Sequence, residues 1–257
     1  MYTSLEPRAE HRRSNRAVVL FAGLVLCLGL PTADASAKPK GQCLIGVDIT
    51  SSVVGRSSPS AKWGEGVRDV LKTCQLEKMN TTLTVISSAG EGSYSTLGLP
   101  FNSTKNEDDG IRLRGKARKW LETLSADPAG STDILSTLST MSTNLRGEPQ
   151  DPSYKVFLFT DGIQTAEYSF LKNVTPDQKY FAALMGKVAS EGAVYRFPKN
   201  TIVSFVGYFD QAELNRNVRL SGKLQNLVSG FWEIYFGKAG VAKGNVKFES
   251  NLKRTVA

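Results

Sequence analysis

Three short oxygen-bearing segments lie far apart in this chain: Asp48-Ile49-Thr50-Ser51-Ser52, Ser131-Thr132-Asp133 and Thr160-Asp161-Gly162. Carboxylates and hydroxyls gathered without nitrogen or sulfur suit a hard cation such as magnesium, which takes oxygen ligands. The first and third segments each follow an apolar run, Cys43 to Val47 and Val156 to Phe159. Short continuous apolar runs of this kind mark buried parallel strands. Side chains just past the carboxyl ends of such strands line the rim where open α/β sheets bind ligands. Plainer roles exist for the same residues. Asp48 and Asp161 fit Asx turns, and Thr50, Ser51 and Ser52 fit turn hydroxyls. Thr132 or Ser131 fits the N-cap of the helix that follows. Against this, carboxylates meeting at strand ends repel unless a cation balances them.

Holding these segments together requires alternating strands and helices. The pattern predicts strand one over about 43–48 and a helix near 61–74, with Trp63, Val67, Val70 and Leu71 at helical spacing. Thr81 to Ser88 is β-branched and predicts strand two, and Tyr94 to Phe101 a third at an antiparallel edge, after a turn at Gly90-Glu-Gly92. Helices follow near 111–125 and 133–145, then a linker at 146–153 and strand four at 154–160. A long connection at 161–175 leaves the proposed rim, and loops of that length are usually functional. A helix near 176–191, strand five at 201–209, a helix over 211–227 and a last strand at 231–236 complete the domain. Such alternation argues for an α/β fold.

The three segments, in this order and context, resemble the metal-ion-dependent adhesion site of the von Willebrand factor A (vWA) domain family. That site is written Asp-x-Ser-x-Ser, then a distant Thr, then a distant Asp. Here Asp48-x-Thr50-x-Ser52 replaces the first Ser by Thr, which keeps the hydroxyl. Thr132 stands in Gly-Ser-Thr-Asp-Ile and Asp161 in Phe-Thr-Asp-Gly, both close to the family's usual wording. The resemblance covers about residues 41–237. It implies a doubly wound, mostly parallel six-stranded sheet with one antiparallel edge strand and helices on both faces. It also implies a divalent cation, Mg2+ or else Mn2+ or Ca2+, held by Asp48, Thr50, Ser52, Thr132 and Asp161. In the family the hydroxyls bind directly and the carboxylates act largely through water. A partner's carboxylate commonly fills the open position.

Residues 1–37 read as a secretory signal peptide: Arg8, Arg12, Arg13 and Arg16, then an apolar run from Ala17 to Leu30, then Ala35-Ser36-Ala37 as a cleavage site. The run is shorter than the roughly 20 residues of a membrane-spanning helix. Cleavage near Ala37 predicts a secreted or periplasmic protein with no stable membrane anchor. Its loss removes four Arg and three acidic residues and leaves 28 basic against 21 acidic side chains. These charges are scattered, so no nucleic-acid partner is expected. The only histidine, His11, lies in that segment. The remainder therefore lacks the parts for a Ser-His-Asp or Cys-His mechanism and for a His-ligated zinc.

Cys43 and Cys74 also remain. An even pair in an oxidising compartment reads as a disulfide. In a βα unit the helix runs back along the strand, which places both at the end of the sheet away from the rim. Two buried free thiols are the alternative.

Together these readings predict a single vWA domain over 41–237, followed by a basic tail at 238–257. Its function is to bind a protein or other macromolecular partner through the cation, with the partner offering an acidic side chain. Two other readings stay open. One is a metal-independent structural or assembly factor of the cell envelope or of a secretion or appendage system. The other is a magnesium-dependent phosphohydrolase. The enzyme reading meets an obstacle at Thr50, where the phosphohydrolase pattern Asp-x-Asp-x-Thr wants its second carboxylate. No enzymatic activity is expected.

Overall fold

The computed structural model describes residues 41–88, 95–145, 153–171, 177–209 and 222–249. The expected signal peptide, the Gly90 to Gly92 turn, most of the 146–153 linker, the end of the 161–175 connection and most of the helix expected over 211–227 lie outside them. The central strand β1 (Gly41–Asp48) is almost wholly buried, as its apolar run requires. It is followed by a single-turn helix α1 (Ser51–Val54) and by α2 (Pro59–Leu76). Ser58 caps α2 by accepting from the Ala61 amide at 3.1 Å, with Pro59 in the first turn. Then come β2 (Asn80–Ile86), β3 (Thr96–Pro100), α3 (Glu107–Thr123), α4 (Ile134–Asn144), β4 (Ser153–Phe159), α5 (Gln178–Ser190) and β5 (Ile202–Val206). The chain continues through α6 (Gly222–Ala239) to β6 (Val246–Glu249).

The sheet order is β3-β2-β1-β4-β5-β6. Every pairing is parallel except β2 with β3, so the one antiparallel strand stands at an edge. This is the doubly wound α/β architecture that the strand–helix alternation predicts. β1 and β4 are neighbours at the point where the winding reverses, with Val47 opposite Phe159. The residues that follow them, Asp48 and Thr160, therefore come side by side at the crevice where such sheets bind ligands.

Strand alternation divides the core between the two faces. Cys43, Ile45 and Val47 join Trp63, Val67, Val70 and Leu71 of α2 and Leu113 and Leu121 of α3. Leu44, Val156, Leu158 and Phe205 join the apolar sides of α4, α5 and α6. Gly46 is the thin point on that second side. A Cβ there would stand 3.1 Å from carbons of Ile86, Leu158 and Met141.

One sequence expectation fails. Phe231 to Phe236 is not a strand but the middle of α6, and the sixth strand is Val246–Glu249, within the stretch read as a tail. The buried residues Leu224, Val228, Phe231, Trp232, Tyr235, Phe236 and Ala239 recur every three or four positions, which is helical spacing. A run dense in aromatics imitates a strand when read over six residues alone.

Cys43 and Cys74 form a disulfide, with Cα atoms 6.2 Å apart. It staples β1 to the end of α2 at the end of the sheet opposite Asp48. No helix among the described residues is long and apolar enough to cross a membrane. Replacing both cysteines by serine is expected to lower unfolding free energy by roughly 3.5–4 kcal/mol, from the loop the bridge closes across a sequence separation of 31. Denaturant titration of oxidised, reduced and substituted protein measures this. Equal midpoints in all three would show that the bridge adds nothing.

Candidate functional site

The site is built at the ends of β1 and β4 and in the loop that leads to α4. Asp48 ends β1 and has no solvent exposure. Its Oδ1 accepts from the Thr50 amide at 2.9 Å and from the Thr50 hydroxyl at 2.6 Å. Its Oδ2 accepts from the Thr160 hydroxyl at 2.8 Å, across the gap between the two strands. The Asp48 carbonyl accepts from the Trp63 indole at 2.7 Å. Burial pushes the Asp48 carboxyl up to about 6 from its ordinary 3.8. The hydrogen bonds from Thr50 and Thr160 and the charge of Lys62 restrain that rise without cancelling it.

Thr50 Oγ1 is the hub. It lies 3.2 Å from Ser52 Oγ and 3.0 Å from Thr132 Oγ1. Thr50 and Thr132 are buried, whereas Ser52 is exposed, so the cluster opens outward on the Ser52 side. Four of the five expected residues thus form one hydrogen-bonded set. The fifth, Asp161, is placed beside it by its neighbour Thr160 and accepts from the Ile163 amide at 2.8 Å. Both carboxylates therefore do make the Asx-type contact to the residue two ahead. Neither Ser131 nor Thr132 caps α4. Asp133 does so, accepting from the Ser136 amide at 3.1 Å.

The loops are held by bonds that local sequence does not announce. Asp127 exchanges backbone bonds with the first segment, its carbonyl accepting from Ser51 at 2.9 Å and its amide donating to Ile49 at 2.7 Å. Its carboxylate accepts from both the amide and the hydroxyl of Ser88. Burial raises the Asp127 pKa, but these bonds and one from the Ala129 amide leave it below the usual range. Gly162 turns the third segment with φ 84°, and a Cβ there would meet the Tyr208 ring at 2.9 Å. The Gly162 carbonyl accepts from the Trp232 indole at 2.8 Å. Thr160, Gln164 and Asp127 are the participants that sequence reading leaves without a role. Only Asp127, in an Asp-Pro-x-Gly turn, carries a local signal.

The donor set fits a small hard cation. It is all oxygen, and two oxygens sharing one magnesium at about 2.0–2.1 Å in octahedral geometry stand about 3 Å apart. The hydroxyl spacings of 3.0 and 3.2 Å meet that requirement. Among the described residues no group of three or more His, Cys, Asp or Glu side chains is gathered for a metal. A cation here depends on the hydroxyls.

Solved structures share the general outline at low identity. The pilus adhesin SpaC from Lactobacillus rhamnosus GG is 12% identical with a TM-score of 0.47, over 84% of this chain and 28% of that one. The manganese-loaded TRAP protein of Plasmodium vivax is 15% identical with a TM-score of 0.39, over 65% of this chain and 56% of that one. The SpRpn10 VWA domain is 9% identical with a TM-score of 0.42, over 82% of this chain and 89% of that domain. The chain spans under a third of the adhesin and just over half of TRAP. No protein-family model and no curated protein matches the chain.

The Asp48 environment predicts a pH dependence with a definite sign. Its folded-state pKa of about 6 lies above the ordinary 3.8. Its charge therefore opposes folding above pH 6, and the opposition fades as pH falls through 6 towards 4. In chelator, Asp48→Asn is expected to be more stable than the parent at pH 7, by on the order of 2–3 kcal/mol. That advantage is expected to vanish by pH 4. Paired urea titrations across this range measure it. An Asp48→Asn protein less stable than the parent at pH 7 would show that the carboxylate's hydrogen bonds outweigh its burial.

Proposed function

We propose that the protein is a binding module of vWA type that recognises a macromolecular partner through a divalent cation. The observation that carries this reading is the convergence of the Thr50, Ser52 and Thr132 hydroxyls, at 3.0–3.2 Å, against the buried carboxylate of Asp48. The three hydroxyls would hold Mg2+, Mn2+ or Ca2+, with Asp48 and Asp161 contributing negative charge from behind. A cation held by neutral oxygens supplies an electrophilic open position suited to a partner's carboxylate oxygen. Asp48 would orient Thr50 by accepting the hydrogen bond of its hydroxyl, and Thr160 would hold Asp48 in turn by donating to it.

The reading includes export, since a disulfide persists in oxidising compartments. It assigns no catalytic step. A general acid or base of the phosphohydrolase kind would need a carboxylate where Thr50 stands. A metal-independent assembly role is the second reading. It is favoured by the fact that the hydroxyl cluster already satisfies itself through its own hydrogen bonds.

Calorimetric titration with Mg2+ and Mn2+ tests the first reading, with Asp161→Ala alongside. Saturable binding is expected in the parent. In the variant it is expected to weaken roughly 10- to 100-fold, as for carboxylates that act behind the coordinating atoms. Circular dichroism should be unchanged. Pull-down of envelope proteins in magnesium and in chelator adds the functional arm. A partner retained at full strength in chelator and by Asp161→Ala would sink the metal-dependent reading in favour of the second.

A further inference from the structure

Gln164 has no solvent exposure, and no motif of the sequence singles it out. It lies three residues beyond Asp161, in the loop leaving β4. Its Oε1 accepts from the Ile134 amide at 2.7 Å and the Leu135 amide at 3.3 Å. Its Nε2 donates to Asp133 Oδ1 at 3.1 Å. Those amides open α4 and have no partner within the helix. The following residues extend the same contact. Thr165 Oγ1 accepts from the Thr132 amide at 2.7 Å, and the Thr165 and Ala166 amides donate to the Thr132 carbonyl at 3.0 and 3.2 Å. Both backbone polar groups of Thr132 are thus held by the loop that carries Asp161.

Asp133 caps α4 only at the Ser136 amide, so the two amides before it are capped by a side chain from a different loop, which ties the two loops together. An amide buried this deeply is costly unless its bonds are made. Here both ends of the side chain are bonded, and all of those bonds reach the Thr132 to Leu135 segment. Gln164 is anchored on its other side as well. Its carbonyl accepts from the Phe170 amide at 2.8 Å, and the Phe170 ring packs with Phe181, Phe231 and Trp232.

We propose that Gln164 is a positioning residue that locks the Thr132 loop to the Asp161 loop, so that the second and third segments of the cation site move as one preformed unit. This rests on the proposed function above. A donor set fixed in advance avoids the ordering cost that loose loops would charge to each binding event. Gln164 itself touches no cation.

The test uses Gln164→Leu, which removes both polar ends, and Gln164→Glu, which keeps the acceptor and loses the donor facing Asp133. Leu145→Ala, at the far end of α4, is a control for loss of stability without loss of the clasp. Mn2+ binding is read by electron paramagnetic resonance well below every melting midpoint. Hydrogen exchange is read in chelator. Both Gln164 variants are expected to bind Mn2+ roughly 10- to 100-fold more weakly than the parent, as for removal of a residue that orients a ligand. Exchange is expected to quicken at Ile134 and Leu135 while β1 and β4 stay protected. Leu145→Ala is expected to keep parental affinity despite a lower melting temperature. Parental Mn2+ affinity in Gln164→Leu overturns the clasp while leaving the metal reading intact. Failure of the parent to bind Mn2+ overturns both, and is told apart because it needs no variant.

Discussion

Asp48 carries a carboxylate at the end of the central strand with no exposure to water, and the neighbourhood is organised around that fact. An isolated buried charge costs several kcal/mol unless hydrogen bonds or opposite charge offset it. Three donors on Thr50 and Thr160 supply part of the offset. They come from two segments far apart in the chain. They meet because β1 and β4 pair in parallel at the reversal of the sheet winding. Thr132 follows through its contact with Thr50, and the loop before α4 through its bonds to Ile49 and Ser51. Burial still outweighs those donors and holds the Asp48 carboxyl above its ordinary value, up to about 6.

The two ends of the sheet do different work. At the end where β1 begins, the Cys43–Cys74 bridge and the Met79 to Cys74 backbone bond close the turn from α2 into β2. At the other end the parallel strands β1, β2, β4 and β5 all give way to loops. Backbone polar groups there lack ladder partners and must find others. They find them across long sequence gaps: Ser88 with Asp127, Thr132 with Thr165, Trp232 with Gly162. A rim tied in this way presents irregular backbone and side-chain oxygen in a fixed arrangement on a rigid base.

Much of this was legible in the residues, for reasons that also explain what was not. β1 and β4 show themselves because buried parallel strands are apolar on both faces. α2 shows itself because Trp63, Val67, Val70 and Leu71 repeat at helical spacing. The antiparallel edge strand β3 alternates in burial, as a half-covered strand should. α6 misleads because most of its buried side chains are aromatic and because it carries Gly230, half-buried, and Gly237, exposed, neither aromatics nor glycines being typical of helices. β6 is only four residues long and carries Lys247 and Glu249, so it lacks the apolar signature of the other parallel strands. In the site, Asp48, Thr50, Ser52 and Thr132 were legible as local motifs. Thr160 and Gln164 act across separations of 112 and about 30 residues, where no local pattern reaches.

The bonding of Thr50 has a physical consequence. The Thr50 hydroxyl has one proton, and it goes to Asp48 at 2.6 Å. Towards Ser52 and Thr132 the same oxygen therefore accepts, and those two hydroxyls donate. In the protein alone the lone pairs of Thr50 are already in use. Under the proposed function, affinity for a cation would then be a difference: the new oxygen–cation contacts less the hydrogen bonds surrendered by Ser52 and Thr132. A β-branched side chain is stiff about its first torsion, and Thr50 is packed with no exposure. Its oxygen keeps its place whichever set of contacts prevails. Thr132 is buried and held at both backbone groups, so its oxygen also keeps its place. Ser52, exposed on a single-turn helix, is the member with room to turn. The adjustment between the resting cluster and a liganded one thus falls on the residue nearest the solvent, the side from which a partner would approach.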